Sequence, residues 1–107
     1  MSDFIEAIVT LLPFEAGGRN DVVLPRNGSY RPFARFCAGG PLLRVRFIEG
    51  PPTLGPGDSG RVVLELETTG IDDTLFVSGA ELELLEFAGS SVGLVTVTRL
   101  WREAVAV

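Results

Sequence analysis

The chain has 107 residues, 46% of them hydrophobic, and carries nine Arg, fourteen Asp or Glu, no Lys, no His and one Cys, for a net charge of −5. That length makes a single domain, residues 1–107, with one small core; it is too apolar for a disordered chain, and no run approaches the roughly 20 apolar residues of a membrane helix. Without histidine, Ser-His-Asp and Cys-His catalysis are excluded for the chain by itself, and one cysteine permits neither an intrachain disulfide nor a cysteine-based zinc site.

Taken in order, the elements read as strands. Residues Phe4 to Leu12 alternate, with Ile5, Ala7, Val9 and Leu11 on one face and Glu6 and Thr10 on the other. Gly17-Gly18-Arg19 marks a turn, and Asn27-Gly28 is a hairpin-type signal. A second strand spans Tyr30 to Cys37, and Ala38-Gly39-Gly40-Pro41 connects it to a third, in which Leu43, Val45 and Phe47 alternate with Arg44 and Arg46. Residues Gly50 to Gly60 form a longer loop. Val62, Leu64 and Leu66 then alternate with Glu65 and Glu67, Gly70 to Asp73 breaks the strand, and Leu82 and Leu84 alternate with Glu81 and Glu83. A last run from Val92 to Trp101 is rich in the β-branched residues that suit a pleated surface. Six strands with no helical stretch predict a sandwich or a closed barrel.

Candidate chemistry is sparse. Gly55-Pro56-Gly57-Asp58-Ser59-Gly60 fits the spacing of a dinucleotide fingerprint, but a strand pattern follows where a helix is required, so it is read as a turn. Asp72-Asp73 reads as a solvated loop, and the lone Cys37 as a small buried apolar residue. Trp101 and Phe87 are candidate apolar anchors, with core packing the alternative for Trp101. Glu65, Glu67, Glu81, Glu83 and Glu86 form an acidic group that either solvates the outer face or docks a basic partner. Arg31 with Arg35, and Arg44 with Arg46, share strand faces and make a candidate phosphate-binding patch; the alternative is that they pair with nearby acids. Charge is also uneven along the chain. Residues 1–48 hold six Arg against four acids, giving +2, and residues 49–107 hold three against ten, giving −7, so one basic and one acidic side are expected.

Four motifs occur in order: Gly17-Gly18-Arg19, Tyr30-Arg31-Pro32, Pro56-Gly57-Asp58 and Ser91-Val92-Gly93. This series resembles the C-terminal β-barrel domain of elongation factor Tu and related translational GTPases, over roughly Phe4 to Leu100 and with no GTPase domain. The resemblance implies an all-β fold, a six-stranded antiparallel Greek-key barrel. It also implies a non-enzymatic binding module that needs no metal or cofactor and docks a protein linked to translation. Two alternatives stand beside this: an immunity or decoy protein that mimics the barrel against a toxin or regulator, and a tRNA- or RNA-binding module. In the family this domain helps hold the T-arm of aminoacyl-tRNA; the motif residues Arg19, Tyr30 and Arg31, with Arg35, Arg44 and Arg46 read from their strand faces, are the candidate partner- or RNA-binding residues. Arg31 matches the arginine of the family's Tyr-Arg-Pro motif, whereas Arg44 and Arg46 have no assigned counterpart. The family's Arg-Thr-Thr-Asp is replaced by Cys37-Ala38-Gly39-Gly40, and both arginines of the loop before Val-Gly are missing. With the net negative charge, this makes RNA at most a weak partner. The expected setting is cytoplasmic, with no membrane association and no secretory leader.

Overall fold

A computed structural model describes residues 2–26, 28–67, 73–86 and 90–103. Six strands, β1 (Ser2–Leu11), β2 (Phe33–Phe36), β3 (Leu43–Glu49), β4 (Ser59–Leu66), β5 (Glu81–Glu86) and β6 (Ser90–Glu103), close into a barrel in the order β1-β4-β3-β2-β5-β6. All neighbours are antiparallel. The run β2-β3-β4 is a meander, and β1 lies beside β4 across a long connection, which is the Greek-key arrangement. No α-helix occurs among the described residues; the two helical turns, Phe14–Ala16 and Asp73–Leu75, are 3-10. Closure removes the free edges that an open sheet would expose.

The alternation read from the sequence sets the interior. Ile5, Ala7, Val9 and Leu11 of β1, Leu43, Val45 and Phe47 of β3, and Val62, Leu64 and Leu66 of β4 all point inward and are buried. The register shifts in β5 between Leu84 and Leu85, so two successive leucines are buried and Glu86 emerges on the outer side of the shift. The ends of the barrel are plugged by residues outside the strands. At the lower end, where β1 finishes, Val23 and Leu54 form an isolated antiparallel bridge and are both buried. At the upper end Phe76 is buried against Phe36, their rings 4.9 Å apart.

Several expectations change in detail. The Tyr30–Cys37 strand is regular only over Phe33–Phe36, because Pro32 has no N–H to give a ladder. Its first residues still bond to β3, with Phe47 N–H donating to the Tyr30 carbonyl (3.0 Å) and Val45 N–H to that of Pro32 (3.2 Å). Cys37 is exposed in the turn after β2, not packed in the core. Trp101 lies on the outer wall and stacks on its cross-strand partner Phe4 at 5.7 Å, with the Arg99 guanidinium 4.5 Å from its ring centre. The Asn27, Phe87 and Gly70–Asp72 readings lie outside the described residues.

Charge does not separate into two sides. Strands from the two halves of the sequence are intermixed around the wall, with β4 between β1 and β3 and β5 beside β2, and all six ion pairs among the described residues join the first 48 residues to the rest. The acids of β4 and β5 face the arginines of β2 and β3 in register: Arg46 opposes Glu65 and Arg35 opposes Glu83.

Candidate functional site

Three of the four motifs, Gly17-Gly18-Arg19, Pro56-Gly57-Asp58 and Ser91-Val92-Gly93, meet at the lower end of the barrel around the last residues of β1 and Leu12, and the fourth, Tyr30-Arg31-Pro32, runs along β3 and joins the first through Arg19 and Glu86. Pro13 starts the 3-10 turn, and Gly17 ends it with a φ of 88°, its N–H donating to the Phe14 carbonyl. Gly18 sits so close to β1's exit that a Cβ there would stand 2.1 Å from the Leu12 carbonyl oxygen. The pair of glycines therefore does two jobs, a left-handed cap and a close approach, and together they aim Arg19 back at the barrel wall. Gly55-Pro56-Gly57-Asp58 is a tight turn: Asp58 N–H donates to the Gly55 carbonyl, and Gly57 takes a φ of 83°. Asp58 Oδ2 accepts the Gly55 N–H at 2.9 Å, and the turn docks on β1 through Gly57 N–H to the Leu11 carbonyl and Leu11 N–H to that of Asp58. Strand β4, not a helix, follows it. Gly93 lies against β1, where a Cβ would come 2.7 Å from the Thr10 carbonyl oxygen.

Arg19 and Tyr30 converge on one acceptor. The Arg19 Nη1–H and the Tyr30 hydroxyl both donate to Oε2 of Glu86, the last residue of β5, and the Arg19 guanidinium lies 5.1 Å from the Tyr30 ring centre. The ring also packs edge-on against Phe47, 4.9 Å away. Beside this triad opens a groove of about 570 Å³, bordered by Arg19, Asp21, Tyr30, Arg31, Phe33 and Glu86. Glu86 was foreseen only as one of five acids on an outer face; its role depends on a contact across 56 and 67 positions of sequence. The one local signal for it is the doubled Leu84-Leu85 that breaks the alternation just before it.

The other candidate residues stand on the outer wall of β2 and β3. Arg46 reaches Glu65 Oε1 with both Nε (3.1 Å) and Nη2 (2.7 Å), and Arg35 Nη2 lies 3.1 Å from Glu83 Oε2. Arg31 lies 3.9 Å from Glu67 Oε1, and Arg44 stands 5.2 Å from the centre of the Phe33 ring, its cross-strand partner. The structure thus brings Arg19, Tyr30 and Arg31 to the groove and sets Arg35, Arg44 and Arg46 along the wall beside it. Four of the five acids read as a group, Glu65, Glu67, Glu83 and Glu86, are ion-paired with arginines of the first half.

Burial and the adjacent Glu86 carboxylate push the Tyr30 hydroxyl well above the usual tyrosine range, outweighing the Arg19 charge that pulls it down. For Arg19, partial burial opposes the charged form, but the hydrogen bond and charge of Glu86 prevail and hold its ionisation above the usual value. Cys37 is raised by local desolvation and by the charges of Glu81 and Glu83, so its thiol is not activated as a nucleophile. Tyr30 is the only tyrosine in the chain, which makes its titration directly readable. Absorbance at the phenolate band should show no ionisation of the native protein near pH ~10, where the urea-unfolded chain ionises normally. A raised folded-state value means that the Tyr30 contribution to stability is complete below pH ~10 and is lost as pH rises from there through the folded value. A native titration midpoint at the ordinary tyrosine value would contradict the Tyr30–Glu86 bond.

Among the described residues, no group of three His, Cys, Asp or Glu side chains gathers where a metal ion could be held. In comparisons with known proteins, the chain matches no family model and no curated protein.

Proposed function

We propose that the chain is a non-enzymatic binding module, similar to the C-terminal barrel of elongation factor Tu, that docks a protein linked to the translation machinery. The observation that carries this reading is the convergence of two of the resemblance motifs, through Arg19 and Tyr30, on Glu86 beside an open groove. The groove has a mixed lining, aromatic at Tyr30 and Phe33 and charged at Asp21 and Arg31, which suits a protein surface. A protein is favoured over RNA because Arg31, Arg35 and Arg46 each face a carboxylate, so fewer cations remain to release counterions from a phosphate backbone.

Two measurements made side by side test this. Labelled tRNA titrated at low and physiological salt should bind weakly, and Arg44→Ala with Arg46→Ala should lower that binding equally for every RNA sequence and cut the salt slope by about one unit per lost contact. Affinity capture on the immobilised protein should retain a translation-linked protein in physiological salt. Sub-micromolar tRNA affinity with no protein captured would overturn the proposal in favour of an RNA-binding module.

A further inference from the structure

Four of the five acids left outside the ion pairs lie at one end of the barrel. Among the described side chains the five are Glu15, Asp21, Glu49, Asp58 and Glu81. Glu15, Asp21 and Asp58 lie in the two loops that cap the lower end, and Glu49 stands where β3 runs into the second of them. The arginines of those loops offset them only in part: Arg19 is held by Glu86, and Arg26, whose Nε donates to the neutral Gly50 carbonyl at 2.7 Å, keeps its charge and balances one of the four.

The same loops expose large apolar side chains. Phe14 is 62% exposed, and Val22 and Leu24 are each 45% exposed. This is not a consequence of loose chain. Between Val22 and Leu24, Val23 is buried and bonded through both backbone groups to Leu54 (2.8 and 2.9 Å), so alternation holds its two neighbours outward on a pinned segment. The Phe14 and Val22 regions both adjoin the Gly55–Asp58 turn: a Cβ on Gly57 would lie 3.9 Å from Pro13, and one on Gly55 would lie 3.5 Å from Val22. Apolar groups held outward on a fixed platform, in loops that carry a net excess of carboxylates, are the marks of a contact surface.

We infer that this loop end docks a basic, apolar segment of the protein partner, whose apolar side chains cover Phe14, Val22 and Leu24 while its Lys or Arg groups meet Glu15, Asp21 and Asp58. Charge complementarity selects this occupant, since an acidic segment or a nucleic acid would be repelled at the same place. The inference rests on the binding-module reading above and adds the chemistry of the partner.

The test uses isotope-labelled protein titrated with a short Leu/Lys amphipathic peptide and with its Leu/Glu counterpart. The Leu/Lys peptide should shift backbone amides of residues 14–24 and 55–58, with an affinity that falls as salt rises. The triple variant Phe14→Ser, Val22→Ser, Leu24→Ser should weaken it by about tenfold or more, because it removes most of the apolar area to be covered. Leu75→Ser with Val77→Ser, exposed apolar residues at the opposite end, should leave it unchanged. Thermal unfolding of each variant checks that the barrel is intact. Equal binding by the Leu/Glu peptide, amide shifts centred elsewhere, or an unaffected triple variant would overturn the inference. Capture on the triple variant separates the two ideas. A partner retained equally by wild type and variant would overturn the loop-end surface and leave the binding-module reading in place. Peptide shifts at the loops with no protein ever captured would count against that reading while supporting the surface.

Discussion

Replacing Glu86 by Ala should destabilise the protein by about 2–3 kcal/mol, because one substitution strips the acceptor from two donors at once. Arg19 and Glu86 are largely shielded, their side chains 20% and 16% exposed, so the guanidinium left behind can be only partly rehydrated without pulling the 12–32 loop off the wall. At about 4–8 °C per kcal/mol for a domain of this size, the melting temperature should fall by roughly 10–20 °C. Glu86→Gln keeps an acceptor oxygen and should cost about half as much. Tyr30→Phe removes one bond to a charged acceptor, about 1.5–3 kcal/mol. The double variant Tyr30→Phe, Glu86→Ala should cost less than the sum of the singles, because both delete the same bond. Additive costs would show that Tyr30 and Glu86 are not coupled, and an unchanged melting temperature in Glu86→Ala would remove the triad as the loop's anchor.

The second large effect is expected at Phe47. Its side chain is fully buried, in β3 opposite Leu64 and edge-on to Tyr30. Phe47→Ala should cost about 3–5 kcal/mol in chemical denaturation, the sum of the lost transfer energy and a cavity that the closed wall cannot collapse to fill. It should also loosen Tyr30, whose ring loses the surface it rests on. The native tyrosine titration should then move back toward the ordinary range even where the variant remains folded. A variant of near wild-type stability would mean that the lower half of the barrel can repack around the missing ring.

Much of the wall was legible from the residues alone. Period-2 alternation placed Ile5, Ala7, Val9 and Leu11, then Leu43, Val45 and Phe47, then Val62, Leu64 and Leu66 on inward faces, and the structure has them there. Alternation says which way a side chain faces and nothing about which strand lies alongside. The resemblance supplied the Greek-key barrel, and the pairing of Arg35 with Glu83 and of Arg46 with Glu65 appeared only with the register. The same gap explains the charge pattern. A +2 half and a −7 half suggested two sides, but interleaved strands turn that imbalance into ion pairs across the wall. Cys37 was misplaced because a burial habit of the residue type was applied to a position just beyond the end of β2, in an exposed turn. The motifs pointed to Arg19 and Tyr30; Glu86, which joins them, was hidden by a shift of register at Leu84-Leu85. The acids at the loop end are scattered singly in the sequence, at Glu15, Asp21, Glu49 and Asp58, whereas the dense acidic stretches of β4 and β5 are mostly neutralised in the fold.

The strand order also dictates how the chain must assemble. β1 is the first strand to leave the ribosome, and its inward face is wholly apolar, yet its two neighbours are β4 and β6. Nothing from the first half of the chain can pair with it. Its earliest partner is complete only at Leu66, and the barrel closes only with β6, the last strand of all. Such long-range pairing makes folding slow relative to a helical domain of equal size and leaves β1 dependent on chaperones or delayed collapse while it waits. The wall is neutralised in stages along the same path: Arg46 and Arg31 meet Glu65 and Glu67 once β4 is made, Arg35 and Arg19 meet Glu83 and Glu86 with β5, and Asp3 and Glu6 of β1 find Arg102 and Arg99 only with β6. A truncated product that ends before β6 would retain an unpaired apolar edge, and would be a substrate for degradation, not a partial version of the module.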